Sequence, residues 1–292
     1  MKIIGINYEK CIACKECIEE CPSRLFYEEE TKKVVFKDPV NRCIACGHCL
    51  AVCPEEAVMA EDSEGIYEFE EVKTPNKLLT IENLMKFIRA RRSIRRFQKK
   101  AIPRETIEKV LEAMRYAPSA SNLQNWNYIV LTDLEKIQHF ASEVMKLFYL
   151  VKKVLKIKFL VRWFVSKTTR DLLLDPKTES SMNQLINDYE AGSDVIFYKA
   201  PCVIVLHAPE YGQMTGADGG IALTHGIFAA QALGLGTCWI GFAQEALHRN
   251  KNLRKWLNIP NGRNCYGVIV LGYPDVRFQR APPRKELQIQ WL

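Results

Sequence analysis

Eight cysteines stand in two copies of one pattern, Cys11-x2-Cys14-x2-Cys17-x3-Cys21-Pro22 and Cys43-x2-Cys46-x2-Cys49-x3-Cys53-Pro54, offset by 32 residues and each opening with Cys-Ile-Ala-Cys. Three thiolates two residues apart can wrap around one face of an iron-sulfur cube, while the fourth, on the helix that follows, points the other way and ligates the other cube. The spacing therefore assigns Cys11, Cys14, Cys17 and Cys53 to cluster I, and Cys43, Cys46, Cys49 and Cys21 to cluster II. The proline after each fourth cysteine fixes the backbone as the chain turns away. A pair of zinc sites would want four ligands in two separated pairs, not three plus one followed by proline. His48, inside the second motif, reads as a surface neighbour rather than a ligand.

This region resembles the bacterial two-cluster ferredoxins over roughly its first 60 residues. Its charge points the same way. Residues 1–80 carry 10 Lys/Arg against 16 Asp/Glu, a net of −6, whereas residues 81–292 carry 31 against 18, a net of +13. Each oxidised cluster held by four thiolates adds a formal charge of about −2, which makes the acidic part more acidic still.

Two further stretches offer chemistry. Arg91-Arg92-Ser93-Ile94-Arg95-Arg96-Phe97 sets four cations and a hydroxyl side by side, a group that repels itself unless it is solvated or faces an anion. About twenty residues on, Ala117-Pro118-Ser119-Ala120-Ser121-Asn122-Leu123-Gln124-Asn125-Trp126 is a short polar turn leading into a strand. Its amides and hydroxyls can hydrogen-bond the edge of a planar heterocycle or simply cap a loop. Each stretch alone is a weak signal; their order and separation together are not.

With Ala232-Leu233-Gly234-Leu235-Gly236-Thr237-Cys238-Trp239-Ile240-Gly241 and the late Pro282-Pro283-Arg284-Lys285, these stretches make residues 83–292 similar to the nitroreductase-like flavoproteins. The resemblance implies a three-layer α+β fold and non-covalent FMN at the interface of a homodimer. By position it implies Arg91 and Arg284 on the phosphate, Ser93 on the ribityl chain and Arg95 beside flavin N1 and the C2 carbonyl. Ser119 and Asn122 would line the ring across the dimer interface, with backbone of Ile240 and Gly241 near N5. Pro118, Arg92, Gln124 and Lys285 complete the set. A cation at N1 stabilises negative charge on the reduced ring. Asn125 stands where the family usually has proline. No Gly-x-Gly-x-x-Gly opens a helix after a strand, so no dedicated nicotinamide fold is expected.

These residues need elements to hold them. Leu84, Phe87 and Ile88, then Ile107, Val110, Leu111 and Met114, recur at helical spacing, the second set with Pro103 in its first turn. Tyr128-Ile129-Val130-Leu131, Cys202-Val203-Ile204-Val205-Leu206 and Val268-Ile269-Val270-Leu271 predict buried strands. Ile66–Glu70 alternates like a short edge strand inside a polar link. Helices and strands do not alternate in strict units, which favours α+β. The expected organisation is a cluster domain over residues 1–60, a link over 61–82 and a flavin domain over 83–292, with an insertion about 144–190. Its segment Val144–Arg170 holds eight Lys/Arg and no acid, interleaved with Leu147, Phe148, Leu150, Leu155, Phe159, Trp163 and Phe164. That segment reads as a cover over the flavin or an extension of the dimer in preference to a membrane-surface helix.

Other features exclude function classes. No run reaches the roughly 18 uncharged apolar residues of a membrane span, and Ile3-Ile4-Gly5-Ile6 is short for a secretory signal, so a cytoplasmic location is expected. Cys202, Cys238 and Cys265 sit in apolar runs and read as packing residues. His207, His225 and His248 have no triad partner, Asp218-Gly219-Gly220 reads as a helix cap and close packing surface rather than a metal site, and nothing points to nucleic acid. The sequence thus predicts an oxidoreductase passing electrons between two 4Fe-4S clusters and FMN, with a nitroaromatic, quinone or enone-like acceptor. An external ferredoxin or NAD(P)H enzyme is its expected electron donor. The alternative is an electron carrier without substrate turnover.

Overall fold

The chain folds as two compact units, one of Met1–Asn83 together with Ser119–Gln124, the other of Leu84–Pro118 and Asn125–Leu292. The computed structural model describes the chain apart from residues 63–66, 162, 164, 165, 211 and 213, and apart from the side chains of 160, 161, 168, 169, 172 and 173.

The first unit runs β1 (Lys2–Ile6), α1 (Glu16–Glu19), β2 (Phe26–Glu28), β3 (Val34–Phe36), α2 (His48–Val52) and β4 (Val58–Glu61). β1 pairs with β4 and β2 with β3, both antiparallel, so the first and last strands close around the middle of the unit. Helices of four and five residues cannot hold themselves, because nucleation costs more than so few bonds return. They are fixed through Cys17 and Cys49, which are buried with Ile3, Ile6, Phe26, Val34, Ala57 and Val58 in one small core.

The link differs from expectation. Ile66 lies outside the described residues, Tyr67–Phe69 form no strand, and Glu70–Lys73 and Pro75–Lys77 are 3-10 turns. Among the described residues no neighbouring strand offers a ladder there, and an unpaired strand leaves its backbone groups without partners. The alternation in sequence therefore has nothing to pair with.

The rest of the chain forms α3 (Ile81–Ala90), α4 (Arg104–Arg115), β5 (Asn127–Leu131), α5 (Leu134–Lys156), α6 (Lys158–Val161), α7 (Lys167–Leu174), α8 (Pro176–Glu190), β6 (Cys202–Pro209), α9 (Met214–Ala232), β7 (Gly236–Trp239), α10 (Gly241–Arg249), α11 (Lys251–Trp256) and β8 (Arg263–Gly272). The sheet has the order β5-β6-β8-β7, antiparallel throughout. Because side chains alternate along a strand, Cys202, Ile204 and Leu206 face one way and Val203 and Val205 the other. The first face packs with Val110 and Met114 of α4 and Ala222, Leu223 and Ala230 of α9. The second packs with Phe140, Val144 and Met145 of α5, Ile186 of α8 and Leu247 of α10. A sheet covered on both faces gives a three-layer α+β unit, and explains why β6 and β8 read as unbroken apolar runs.

Local chemistry sets the ends of these elements. Asp133 caps α5 by accepting from the N–H groups of Glu135 and Lys136, and Asp175 caps α8 just before Pro176. Pro103 is the residue before α4, one position earlier than the first-turn place expected for it. Asp218 is no cap, since α9 begins at Met214 and carries it buried one turn in. Over 144–190 the chain is largely helical. Phe148 and Leu155 are buried, whereas Leu150, Phe159 and Trp163 are exposed. Lys158 pairs with Glu179 at 2.7 Å. Arg162 and Phe164 lie outside the described residues, and among those described no helix is long and apolar enough to cross a membrane.

Gly267 marks the tightest approach in the sheet. A Cβ there would stand 2.2 Å from Leu223 Cδ1 and 2.6 Å from Trp239 Cζ2. Gly267→Ala should therefore lower stability by about 1–3 kcal/mol through overpacking, read as a lower denaturant midpoint at unchanged slope.

Candidate functional site

The first unit gathers the eight motif cysteines into two hollows. Cys11, Cys14, Cys17 and Cys53 line one, with Ile6, Val34 and Val58 behind them. Cys21, Cys43, Cys46 and Cys49 line the other, with Ile3, Leu25 and Phe26. The fourth cysteine of each motif thus faces the three of the other. Both loops take the same backbone path: Ala13 and Lys15 are left-handed in the first, Ala45 and Gly47 in the second. Such alternation turns successive N–H groups toward one concave side, a cradle for negative sulfur. Backbone N–H groups of Leu25 and Ala57 already donate to Cys21 Sγ (3.4 Å) and Cys53 Sγ (3.2 Å). Burial, reinforced by the thiols around them, pushes the Cys17 and Cys49 thiols up to about 11, so metal binding must displace their protons. Four soft ligands around each of two hollows fit a 4Fe-4S cube in each. His48 is on the surface, 4.0 Å from Glu20.

In the second unit the arginine-rich segment runs along the outer strand of the sheet. Ser93 bridges Thr237 of β7 in parallel, Ile94 N–H donates to Thr237 carbonyl at 2.8 Å, and Gln98 N–H donates to Tyr273 carbonyl at 2.9 Å. The approach depends on Gly236, where a Cβ would meet Ile94 Cγ1 at 2.5 Å. Arg91, Ser93 and Arg95 converge on Cys238. Burial holds the Cys238 thiol above its ordinary value, and Arg95, the Ser93 hydroxyl and Arg91 offset only part of that rise. Arg96 pairs with Asp275 at 3.7 Å, whereas among the described residues neither Arg91 nor Arg95 has a carboxylate at ion-pair distance. Arg95 lies over the Tyr198 ring, 5.9 Å from its centre. Two guanidinium groups without acids and a hydroxyl between them suit a phosphate-bearing or otherwise anionic ligand.

The other implied residues take several roles. Arg92 is occupied as a strut, donating to the carbonyls of Arg89 (2.6 Å), Arg91 (2.7 Å) and Arg280 (2.7 Å). It thereby ties down the late segment that carries Arg284 and Lys285, both exposed. Ile240, whose N–H donates to the Val268 carbonyl at 2.8 Å, precedes α10, and Gly241 opens the helix with no side chain capping its first turn. Pro118 closes the second unit's early segment, and Ser119 accepts from Gln124 N–H at 3.0 Å. Asn122 has its amide fully engaged: it donates to the carbonyls of Ile44 (3.1 Å) and Ala45 (2.9 Å) and accepts from Gln124 Nε2 (2.8 Å). A mostly apolar hollow of about 880 Å³ lined by Ile102, Leu134, Ile137 and Tyr189 contains none of the implied residues.

The residue after the turn is held by a network that sequence reasoning missed. Arg263 of β8 donates to Asn125 carbonyl (2.8 Å), to Asn127 Oδ1, and to the Nδ1 (2.8 Å) and carbonyl (3.1 Å) of His207. Asn125, where the family usually has proline, thus has its carbonyl fixed by a guanidinium. His207 is buried, and desolvation, with Arg263 beside it, lowers its pKa to about 4. No spacing in the sequence joins positions 125, 207 and 263, because they meet only through strand register. Cys238 packs in the buried core as expected, and only the fold shows that Arg95, Ser93 and Arg91 act on its thiol.

Comparison with known proteins now bears on this arrangement. The family model of the nitroreductase family matches residues 88–273, and that of a 4Fe-4S dicluster domain matches residues 10–58. The chain belongs to the nitroreductase family. It is an oxidoreductase of that family carrying a 4Fe-4S dicluster domain at its N-terminal side. A protein of Archaeoglobus fulgidus, provisionally named NADH dehydrogenase/NAD(P)H nitroreductase, is 27% identical over 66% of this chain and 87% of its own. The 4-nitrobenzoate reductase of Nocardioides sp. LMS-CY is 26% identical over 71% of this chain and 87% of its own. A Bacteroides fragilis nitroreductase crystallised with bound FMN shares the fold at TM-score 0.51 and 21% identity, over 72% of this chain and 98% of its own.

The Arg263 network in this nitroreductase carries a pH signature. The unfolded chain protonates His207 near 6.5 and the folded chain only near 4. Between those values the unfolded state takes up a proton that the folded state refuses, so stability falls as pH drops through the window and is level above it. The fall amounts to as much as about 3 kcal/mol. His207→Asn, which keeps an acceptor and removes the titration, should flatten the dependence of the melting temperature on pH from 6.5 to 4 relative to the parent chain.

Proposed function

We propose that this nitroreductase binds FMN, is fed by two 4Fe-4S clusters, and reduces a small organic acceptor of nitroaromatic, quinone or enone-like character. The observation that carries the reading is the pair of four-cysteine hollows in one chain with an acid-free Arg91, Ser93 and Arg95 group. FMN supplies, when bound, hydride chemistry at N5 and the capacity to collect two electrons from one-electron donors. Arg91 and Arg284, with Lys285, would hold the phosphate, Ser93 the ribityl chain, and Arg95 the N1 and C2 edge. The backbone of Ile240 and Gly241, at the uncapped start of α10, would face N5. Arg92 would act by positioning the late segment, and Pro118, Ser119, Asn122 and Gln124 by presenting a turn to the flavin of a second copy in a homodimer. Cys11, Cys14, Cys17 and Cys53 would hold cluster I, and Cys43, Cys46, Cys49 and Cys21 cluster II.

The domain organisation we favour is 1–60 for clusters, 61–82 as link and 83–292 for flavin. The relative named as an NAD(P)H nitroreductase makes an NAD(P)H enzyme one candidate donor, and a ferredoxin is the other. The 4-nitrobenzoate reductase supports a nitroaromatic acceptor. Oxygen-sensitive clusters suit a reducing cytoplasm.

Protein purified without oxygen should contain iron and FMN, and stopped-flow should show pre-reduced clusters reducing the flavin, with 4-nitrobenzoate then reoxidising it. Clusters that reduce while flavin is absent or stays oxidised would replace this reading by that of a carrier. Arg95→Ala should weaken FMN binding by about ten-fold or make the flavin harder to reduce, since a charge-assisted contact contributes roughly 1.5–3 kcal/mol. Unchanged flavin content and potential would remove Arg95 from the site.

A further inference from the structure

The two cluster loops share the sequence Cys-Ile-Ala-Cys and the same left-handed turns, yet their first cysteines are anchored differently. In the first loop Cys11 N–H donates to the backbone carbonyl of Asn7 at 3.0 Å, and the Asn7 side chain, a neutral amide, accepts from Glu9 N–H at 2.9 Å. In the second loop a carboxylate takes that place. Asp38 Oδ1 accepts from Arg42 N–H at 2.7 Å and Oδ2 from Cys43 N–H at 2.9 Å, so both oxygens are spent on consecutive peptide N–H groups, one of them a cluster ligand's own.

The charge of Asp38 is not cancelled by a neighbour. The residue is half-buried, and among the described residues no cation stands at ion-pair distance from it. Adjacent Lys37 turns to Glu29 at 3.5 Å and lies over the Tyr27 ring, and the Arg42 side chain is exposed. Around the first loop the charges are matched instead: Lys15 pairs with Glu28 at 2.8 Å and Lys10 with Glu56 at 3.6 Å. The place of Lys15 is taken in the second loop by Gly47, which brings no charge. Glu16 and Glu19 of α1 and Glu20 after it are exposed, where solvent and salt screen them.

We infer that Asp38 is a positioning residue of cluster II: it fixes the entry to the second ligand loop and holds the potential of that cluster below the value a neutral anchor would give. The inference rests on the reading that each hollow holds a 4Fe-4S cube. Reduction places one electron on a cube, taken from an external one-electron reductant that is oxidised in turn, and makes or breaks no bond. A fixed carboxylate hydrogen-bonded to the ligand's own peptide opposes that added charge, and net charge and hydrogen bonding are what set a cluster's potential. Cluster I, anchored through a neutral asparagine, lacks this opposition.

The test is an EPR-monitored redox titration of the full chain purified without oxygen. Its two reduced-cluster signals are assigned with Cys14→Ser for cluster I and Cys46→Ser for cluster II. Asp38→Asn keeps the shape and removes the charge, and should favour reduction of cluster II by about ten-fold, which for one electron is about 59 mV upward, with cluster I and iron content unchanged. Asp38→Glu keeps the charge and should leave cluster II closer to the parent than Asp38→Asn does. A loop staple without electrostatic effect would give the opposite order, since asparagine matches the parent shape better than glutamate. An unmoved cluster II in Asp38→Asn, an equal shift of both clusters, or that opposite order would overturn the inference. If Asp38→Asn loses iron, Asn7→Asp decides: a carboxylate at the first anchor should lower cluster I and leave cluster II alone, and an unmoved cluster I would overturn the inference. A parent chain with far less than the about eight iron atoms of two cubes would instead overturn the reading on which it rests.

Discussion

The second unit depends on one constraint: a four-stranded sheet that is dry on both faces. Each central strand must send apolar side chains up and down, and each face must be covered by helices that bring their own. Once α4 and α9 fill one side and α5, α8 and α10 the other, the faces have no room for a site. What remains is the rim. The arginine segment adds itself along β7 by one bridge and a few backbone hydrogen bonds, and glycine at 236 lets it come close enough to do so. Charge that could not survive in the core is thereby fixed against it, with its acyl neighbours holding the backbone and its guanidinium groups left toward solvent.

The first unit obeys a different economy of scale. Its core contains six apolar residues beyond the cysteines, too few to hold two helices of about one turn each. The two motifs are instead interlocked, because Cys21 and Cys53 each line the hollow formed by the other motif. Neither hollow is then complete without cysteines of both motifs, and a cluster bound there, as proposed, would tie metal binding to folding.

How much of this could be read from residue order follows from the range of the forces involved. The cysteine sets and the strands at Tyr128–Leu131, Cys202–Leu206 and Val268–Leu271 were legible, since ligand spacing and β-branched runs are local signals. The helix around Ile107–Met114 was legible for the same reason, though not the exact place of Pro103. Alternation over Tyr67–Glu70 misled, because a strand is a relation between two segments and no second one stands beside it among the described residues. Asp218 misled because its neighbours look like a helix start while the helix had begun a turn earlier. The convergence of Arg91, Ser93 and Arg95 on Cys238, and of Arg263 on His207 and Asn125, was invisible, for those partners lie up to about 150 positions apart and meet only through sheet register.

One consequence concerns how such a chain could have been put together. A module joined at one end is a cassette, free to be moved or removed by a single recombination. Here the cluster unit is discontinuous, since six residues from deep within the nitroreductase sequence belong to its fold. Cutting the chain at Asn83 would leave Ile44 and Ala45 with bare carbonyls where Asn122 now sits. The cluster unit is therefore completed by a return stitch, a stretch that in sequence lies inside the span matched by the nitroreductase family model.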